Sequence, residues 1–215
     1  VIANRLEKVY FSLSSVARRS PGDFVYLGDD TGLLLAKAEQ LLEGRPKGGR
    51  LLDICCGSGT ISLGLSDYFE ATQGSDLNRT AINLAESAAQ LNQLHQTGFV
   101  CGRSYEAVQG KFDWIIGNPP ALPGVGKENL YAFGGTTSTQ ISEELVAYLP
   151  EVLNPGGQAL FLTFSPERLL FQKLAAKLPT GFSLNYQVRR RFHGPWKDCG
   201  WIDHVWVHLV GDGRA

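Results

Sequence analysis

No methionine occurs anywhere in the 215 residues, which begin at Val1. Either a further N-terminal segment precedes Val1 or methionines are not represented, so local motifs carry the reading and long spacings do not. Long apolar runs are missing too. None approaches the roughly 20 residues that a bilayer-spanning helix needs, and the N-terminus lacks the charged-then-apolar build of a secretion signal. The expectation is a cytoplasmic chain without a membrane segment. Cysteine is scarce: Cys55, Cys56, Cys101 and Cys199, the first two adjacent at a strand end, argue for reduced thiols and against a disulfide framework. Charge of one sign is lacking as well, because 20 basic and 21 acidic residues leave a net charge of -1. That balance offers no broad attraction for nucleic acid or an anionic membrane, though it leaves a local basic patch open.

What is present is a chain that is 43% hydrophobic and 19% charged, enough for one globular core over residues 1–215. No internal repeat or low-complexity linker interrupts it. The segment 31–44, "TGLLLAKAEQLLEG", has helical spacing and a closing glycine. "GRLLDICCGSG" then runs as a buried strand into glycines, and 60–69 resumes as a helix. A short strand follows in 71–78, a helix over 79–94, and strands in "TGFVCG" and "KFDWIIGN". A helix over 138–153 is stopped by Asn154-Pro155-Gly156-Gly157, a strand occupies 158–165, and "PERLLFQKLAAKL" adds a further helix. The tail reads as two strands, "FSLNYQVRRRF" and "WIDHVWVHLV", with no helix between them. Strand and helix in turn, then a hairpin, predict an α/β fold. Its sheet is doubly wound, Rossmann-like and mostly parallel, with an antiparallel C-terminal hairpin.

Ligands of such sheets bind at the carboxyl ends of the strands. Gly57 and Gly59 let the chain turn tightly there and approach a ligand with no Cβ in the way. Asp76 ends the next strand, 76 − 57 = 19 residues beyond Gly57, where a carboxylate can accept both hydroxyls of a ribose. A nucleoside cofactor is the reading that follows. A dinucleotide fits less well, because the third glycine of its fingerprint is Ser62 here.

At these residues the chain resembles the class I S-adenosylmethionine-dependent methyltransferases: "LLDICCGSG" looks like their first motif and "GSDLN" like their second. The departure is Cys55, where the family usually has a glycine. After the fourth strand, "GNPPA" narrows the resemblance to the subgroup with an Asn-Pro-Pro motif, which includes release-factor glutamine methyltransferases and enzymes that methylate exocyclic amino groups of bases. The resemblance implies a seven-stranded sheet and S-adenosylmethionine as cofactor, held around Asp53, Cys55, Cys56, Gly57, Ser58, Gly59, Asp76, Leu77, Ser104 and Asn118. It implies an acceptor set by Asn118, Pro119, Pro120 and Ala121, with Asn118 and Pro119 as the catalytic pair. The partner is then a methyl acceptor: a protein glutamine, a nucleic-acid base or a small molecule. A non-catalytic cofactor-binding module is the alternative from another class, and no oligomeric state is readable.

The chemistry explains the motif. A delocalised amide or aniline-like nitrogen must be aimed, and two fixed acceptors, the Asn118 side-chain oxygen and the Pro119 carbonyl, can take its two N–H groups. Prolines stiffen the turn that carries them. The subgroup usually has an aromatic after the second proline and Ala121 stands there instead, so either another aromatic such as Tyr131 or Phe133 supplies the plane or the substrate differs. Arg103 replaces an acidic residue common in relatives. Thr31 is either the N-cap of the first helix or a cofactor-side residue. His193, Cys199, His204 and His208 lack metal-site spacing. The arginines of "VRRRF" read as a solvated edge, and Trp196 and Trp201 as a lip over the substrate mouth or a closure of the hairpin.

Overall fold

The computed structural model describes residues 25–103, 106–122, 131–135, 139–165, 170–193 and 201–213. Seven strands form one sheet in the order β3-β2-β1-β4-β5-β7-β6. They are β1 Arg50–Ile54, β2 Ala71–Asp76, β3 Thr97–Cys101, β4 Phe112–Gly117, β5 Leu153–Ser165, β6 Phe182–His193 and β7 Trp201–Gly211. Helices α1 Asp29–Leu42, α2 Thr60–Leu65, α3 Arg79–Leu91, α4 Gln140–Val152 and α5 Leu170–Lys177 cover it. β3, β2, β1, β4 and β5 run parallel, while β7 inserts antiparallel between β5 and β6. The hairpin is as expected, and its first strand, β6, forms the edge.

The near-continuous apolar strands are explained by burial on both faces. Leu52, Ile54 and Ile115 pack toward α4 and α5, whereas Leu51, Trp114 and Ile116 pack toward α1 and α2. Alternation along a strand sends successive side chains to opposite faces, and both faces here are covered. At roughly 25 cal/mol per Å² of apolar area, each such fully buried Leu or Ile contributes about 2 kcal/mol.

Three boundaries moved from the sequence expectation. α1 begins at Asp29 with Gly28 as its N-cap, so Thr31 is a helix residue and the N-cap reading for it is wrong. The expected helix over 60–69 is a six-residue α2 followed by a 3-10 turn, Ser66–Tyr68. Asn154-Pro155-Gly156-Gly157 belongs to β5 rather than to a loop. There the pairing with β4 shifts register, and Asn154 Nδ2 donates to Asp113 Oδ1 at 2.9 Å across the irregularity. A cross-strand side-chain bond thus holds residues whose glycines and proline alone suggested a break. Among the described residues no helix is long and apolar enough to cross a membrane.

Candidate functional site

β1 lies between β2 and β4, so the strand order reverses there and the carboxyl ends of β1 and β4 diverge into a crevice. A cavity of about 430 Å³ fills it, within the usual range for a small-molecule site.

Its floor is the turn after β1. Cys55 has φ 53°, Gly57 54° and Gly59 81°, so three residues of the turn occupy the left-handed region. Cys55, which carries a Cβ, holds a left-handed conformation that favours glycine, at a strain on the order of 1–3 kcal/mol. A Cβ on Gly57 would meet only the Tyr26 carbonyl oxygen at 3.6 Å and Val25 Cγ1 at 4.0 Å. A ligand can therefore approach that backbone. At Gly59 a Cβ would lie 2.9 Å from the Phe99 ring and 3.0 Å from Ala85 Cβ. That glycine serves close packing of the turn on α3 and β3, not ligand access.

Asp76 fixes the turn to the second strand. Its Oδ2 accepts from the Gly57 N–H at 2.9 Å and its Oδ1 from the Asn78 N–H at 2.8 Å. Burial raises its carboxyl from the ordinary range against these bonds. The carboxylate still lines the cavity with Leu77, Asn78 and Arg103. Asn78 also caps α3, accepting from the Thr80 N–H at 2.9 Å.

Asp53 and Ser58, expected at the cofactor, are sealed beneath the turn. Asp53 is fully buried and accepts from the Ser62 N–H at 2.9 Å and the Ser62 hydroxyl at 2.8 Å. It tethers α2 from below, and burial pushes its carboxyl up to about 7. Ser58 is 2% exposed and outside the cavity lining. Cys55 and Cys56 both line the cavity, and neither is in a disulfide. Ser104 lies outside the described residues.

The opposite wall is the end of β4. A Cβ on Gly117 would meet Ile54 Cγ1 at 2.2 Å and the Ile54 carbonyl oxygen at 2.6 Å, so only glycine lets β4 leave the sheet this close to β1. Asn118 follows into the cavity with Pro120. Its Nδ2 donates to Asp30 Oδ2 at 3.1 Å and, more weakly, to Thr31 Oγ1 at 3.5 Å. Among the described residues none donates to its Oδ1. Pro119 and Ala121 are buried, and Ala121, at 2% exposure, presents nothing to the cavity. The aromatic surface comes from elsewhere. Leu122 and Phe133 form a bridge, supported by the Leu122 N–H donating to the Ala132 carbonyl at 3.0 Å, and this brings Tyr131 and Phe133 to the cavity. Tyr26 stacks on Tyr131 with ring centroids 6.3 Å apart and planes 12° from parallel.

Tyr26 and Asp30 were not anticipated. The signal was the pair Asp29-Asp30 opening an amphipathic helix: one carboxylate is exposed and the other, Asp30, is 7% exposed. A buried carboxylate beside a cavity needs a partner, and Asn118 is that partner.

Of the discounted features, His204 stacks on Phe164 at 4.4 Å and contacts Arg189 through Nδ1 at 3.2 Å. His208 faces Trp114 and Gln158. Among the described residues no group of three His, Cys, Asp or Glu is placed to hold a metal. Arg191 forms two bonds to Asp203, at 2.5 and 2.8 Å, so this arginine is engaged rather than merely solvated. Cys199, Trp196 and the side chains of His193 and Trp201 lie outside the described residues.

A switch-point crevice over a glycine turn, with an acidic strand end beside it, defines a Rossmann-like α/β protein with a nucleoside-sized site. The methyltransferase small domain family matches residues 21–177, and the chain belongs to that family. A ribosomal RNA small subunit methyltransferase C of Photorhabdus laumondii is 34% identical over 116 residues, covering 53% of this chain and 31% of the relative. A putative protein N5-glutamine methyltransferase of Methanocaldococcus jannaschii is 32% identical over 148 residues, covering 65% and 73%. A release factor glutamine methyltransferase of Deinococcus radiodurans is 32% identical over 143 residues, covering 61% and 50%. The chain thus spans about a third of the ribosomal RNA methyltransferase it matches. Among solved structures, TrmN from Thermus thermophilus superposes with a TM-score of 0.57 at 24% identity, covering 83% of this chain and 48% of that one. Methanocaldococcus jannaschii Trm5, in complex with adenosine, gives 0.60 at 14% identity, covering 88% and 50%. These two likenesses show the fold.

Proposed function

We propose that this chain is a catalytic domain that transfers a methyl group from S-adenosylmethionine to a planar amide or exocyclic amino nitrogen, on a protein glutamine or a nucleic-acid base. The observation that carries the reading is the orientation of Asn118. With Nδ2 bound to a carboxylate, the amide leaves Oδ1 as an acceptor at the cavity.

The residues fit the cofactor. The open backbone at Gly57 leaves room for its amino-acid portion, Asp76 is placed for ribose hydroxyls, and Leu77 and Ile61 offer apolar surface for a base. When bound, S-adenosylmethionine supplies an electrophilic methyl on a sulfonium whose sulfur keeps the bonding pair. The chain's own task is to aim the acceptor. Asn118 Oδ1 and the Pro119 carbonyl take its two N–H bonds, leaving the nitrogen lone pair directed at the methyl. As the N–C bond forms the nitrogen becomes acidic and releases its proton to water, so no general base is needed. Tyr131 and Phe133 give the flat face that Ala121 does not.

The test uses the purified chain with tritiated S-adenosylmethionine and two probes, glutamine-containing peptides and small-subunit ribosomal RNA. Label on amide or exocyclic nitrogen, lost in Asn118→Ala with S-adenosylhomocysteine affinity retained, is the expected result. Absence of label from both probes, or undiminished labelling by Asn118→Ala, refutes the reading.

A further inference from the structure

Asp30 is a buried carboxylate that the proposed chemistry does not consume. Its Oδ2 accepts from Asn118 Nδ2 at 3.1 Å and its Oδ1 from the Thr31 N–H at 2.9 Å. The Tyr26 hydroxyl bonds to the same carboxylate. Gly28 makes that meeting possible: a Cβ there would sit 2.0 Å from the Tyr26 hydroxyl and 2.9 Å from Asp30 Oδ1. The three contacts come from three separate stretches, the approach to α1, its first turn and the end of β4.

An asparagine amide is nearly symmetric in shape, and its two ends are set only by what they face. A carboxylate accepts and never donates, so it selects the nitrogen end. Flipping Asn118 would set Oδ1 against Asp30 Oδ2, two acceptors at hydrogen-bond distance, and would turn two donors toward the acceptor's own N–H groups. The same carboxylate anchors Tyr26, whose ring stacks on Tyr131 at the cavity.

We infer that Asp30 is the positioning residue of the site: it fixes which end of Asn118 faces the acceptor and, through Tyr26, holds the aromatic pair that replaces the missing aromatic at Ala121. This rests on the function proposed above. It extends that function by making a flat acceptor depend on one carboxylate for both its hydrogen bonds and its stacking plane. Asp30 touches neither reacting atom and acts through Asn118 and Tyr26.

The decisive measurement is the side-chain amide spectrum of ¹⁵N-labelled protein, with the Asn118 pair identified by its absence from Asn118→Asp. In the wild type one proton of the pair is shifted and slow to exchange. Asp30→Ala should move the pair to its solvent position, and Asp30→Asn, whose carbonyl still accepts, should restore it. Tyr26→Phe, which leaves Asp30 in place but removes the hydroxyl that it holds, should loosen the Tyr26–Tyr131 stack while sparing the Asn118 pair. On the two probes above, Asp30→Ala should lower kcat about 100-fold, as a misplacement of about 1 Å does. S-adenosylhomocysteine affinity should be unchanged, and Asp30→Asn should recover most of the rate. An Asn118 pair unaltered by Asp30→Ala, or a kcat unaltered where the wild type turns over, overturns the inference while leaving the proposed function standing. Wild type that labels neither probe overturns the function and the rate-setting role together, and the amide spectrum then decides the hold on Asn118 by itself.

Discussion

The parallel half of the sheet and its antiparallel half are built to different lengths. β1 to β4 have five or six residues each, whereas β5, β6 and β7 have 13, 12 and 11. Gly117, the last residue of β4, pairs with Phe161, yet β5 continues to Ser165, four residues further. At about 3.3 Å per residue the hairpin side rises ~13 Å above the edge where the crevice opens. Short parallel strands stop together and leave a floor of turns. The long strands β5, β7 and β6 overshoot it and make a wall. Charge couples wall and site only weakly: after burial, Arg190 is the smallest influence on the Tyr26 hydroxyl, and Asp30 the smallest on the His204 ring. The lesson is that the floor is fixed by backbone conformation and the wall by side chains, so the two halves should respond differently to the same kind of change.

The largest contrast is at left-handed glycines. A Cβ on Gly59, φ 81°, would run into Phe99 and Ala85, while one on Gly213 after β7, φ 72°, would find nothing within 4 Å. Gly59→Ala should cost about 3 kcal/mol, combining backbone strain with overpacking, and Gly213→Ala about 1 kcal/mol from strain alone. Chemical denaturation of both variants measures the difference, and equal losses would mean the floor is no more constrained than the tail.

The floor was also the more legible half. Gly57, Gly59 and Asp76 announce themselves because glycine adopts left-handed angles without the strain that Cys55 carries beside them, and a carboxylate at a strand end is conspicuous. Asn118 was legible for the same reason, lying between Gly117 and two prolines. Asp30 and Tyr26 were not, because their role arises from contact between segments 88 residues apart in the case of Asp30 and Asn118. Nor does the sequence show that Asp53 faces inward, since a strand-end acid reads alike whether it meets ligand or a serine on the next helix. The tail gave its hairpin by alternation, but Arg189–His204 and Arg191–Asp203 depend on a register shift in β6 between Val188 and Arg190 that no local pattern marks.

A second contrast concerns buried charge. Asp53, under the floor, has a carboxyl pushed up to about 7 by burial, with its Oδ1 unpartnered. A raised carboxylate pKa means the native state holds a proton that the unfolded chain has released, so this residue's contribution to stability falls as pH rises from about 4 to about 7. Asp53→Asn keeps an oxygen for Ser62 and carries no charge. Relative to wild type it should gain on the order of 3 kcal/mol between pH 5 and pH 8, read from denaturation midpoints at both values. A difference that does not change with pH would remove the buried-charge assignment.

Cofactor affinity separates the halves more gently. Asp76→Ala should weaken S-adenosylhomocysteine binding by about 1–3 kcal/mol, the loss of a charged hydrogen-bond acceptor. Arg191→Ala should leave it unchanged, because that guanidinium closes on Asp203 within the wall. Calorimetric titration of the pair checks both, and equal weakening would extend the cofactor site onto the hairpin.

The smallest effect belongs to His204, the counterpart of Asp53 in the wall. Burial first, then Arg190 and Arg189, lower its pKa to about 4, and its Nε2 is buried without a partner. Here the native state refuses a proton that the unfolded chain takes up near 6.5. The contribution is therefore complete above about pH 6.5 and lost as pH falls toward 4. Asp53 and His204 thus tilt stability in opposite directions over the same interval, one from each half of the sheet. His204→Gln keeps a side chain able to meet Arg189 but cannot be charged. It should alter stability by less than about 1 kcal/mol at pH 8, within the range of a single neutral hydrogen bond, and become the more stable form relative to wild type as pH approaches 4. Equal acid sensitivity of the two proteins would mean that protonation of the buried ring is not what the wall loses in acid, and would remove His204 as the counterpart of Asp53.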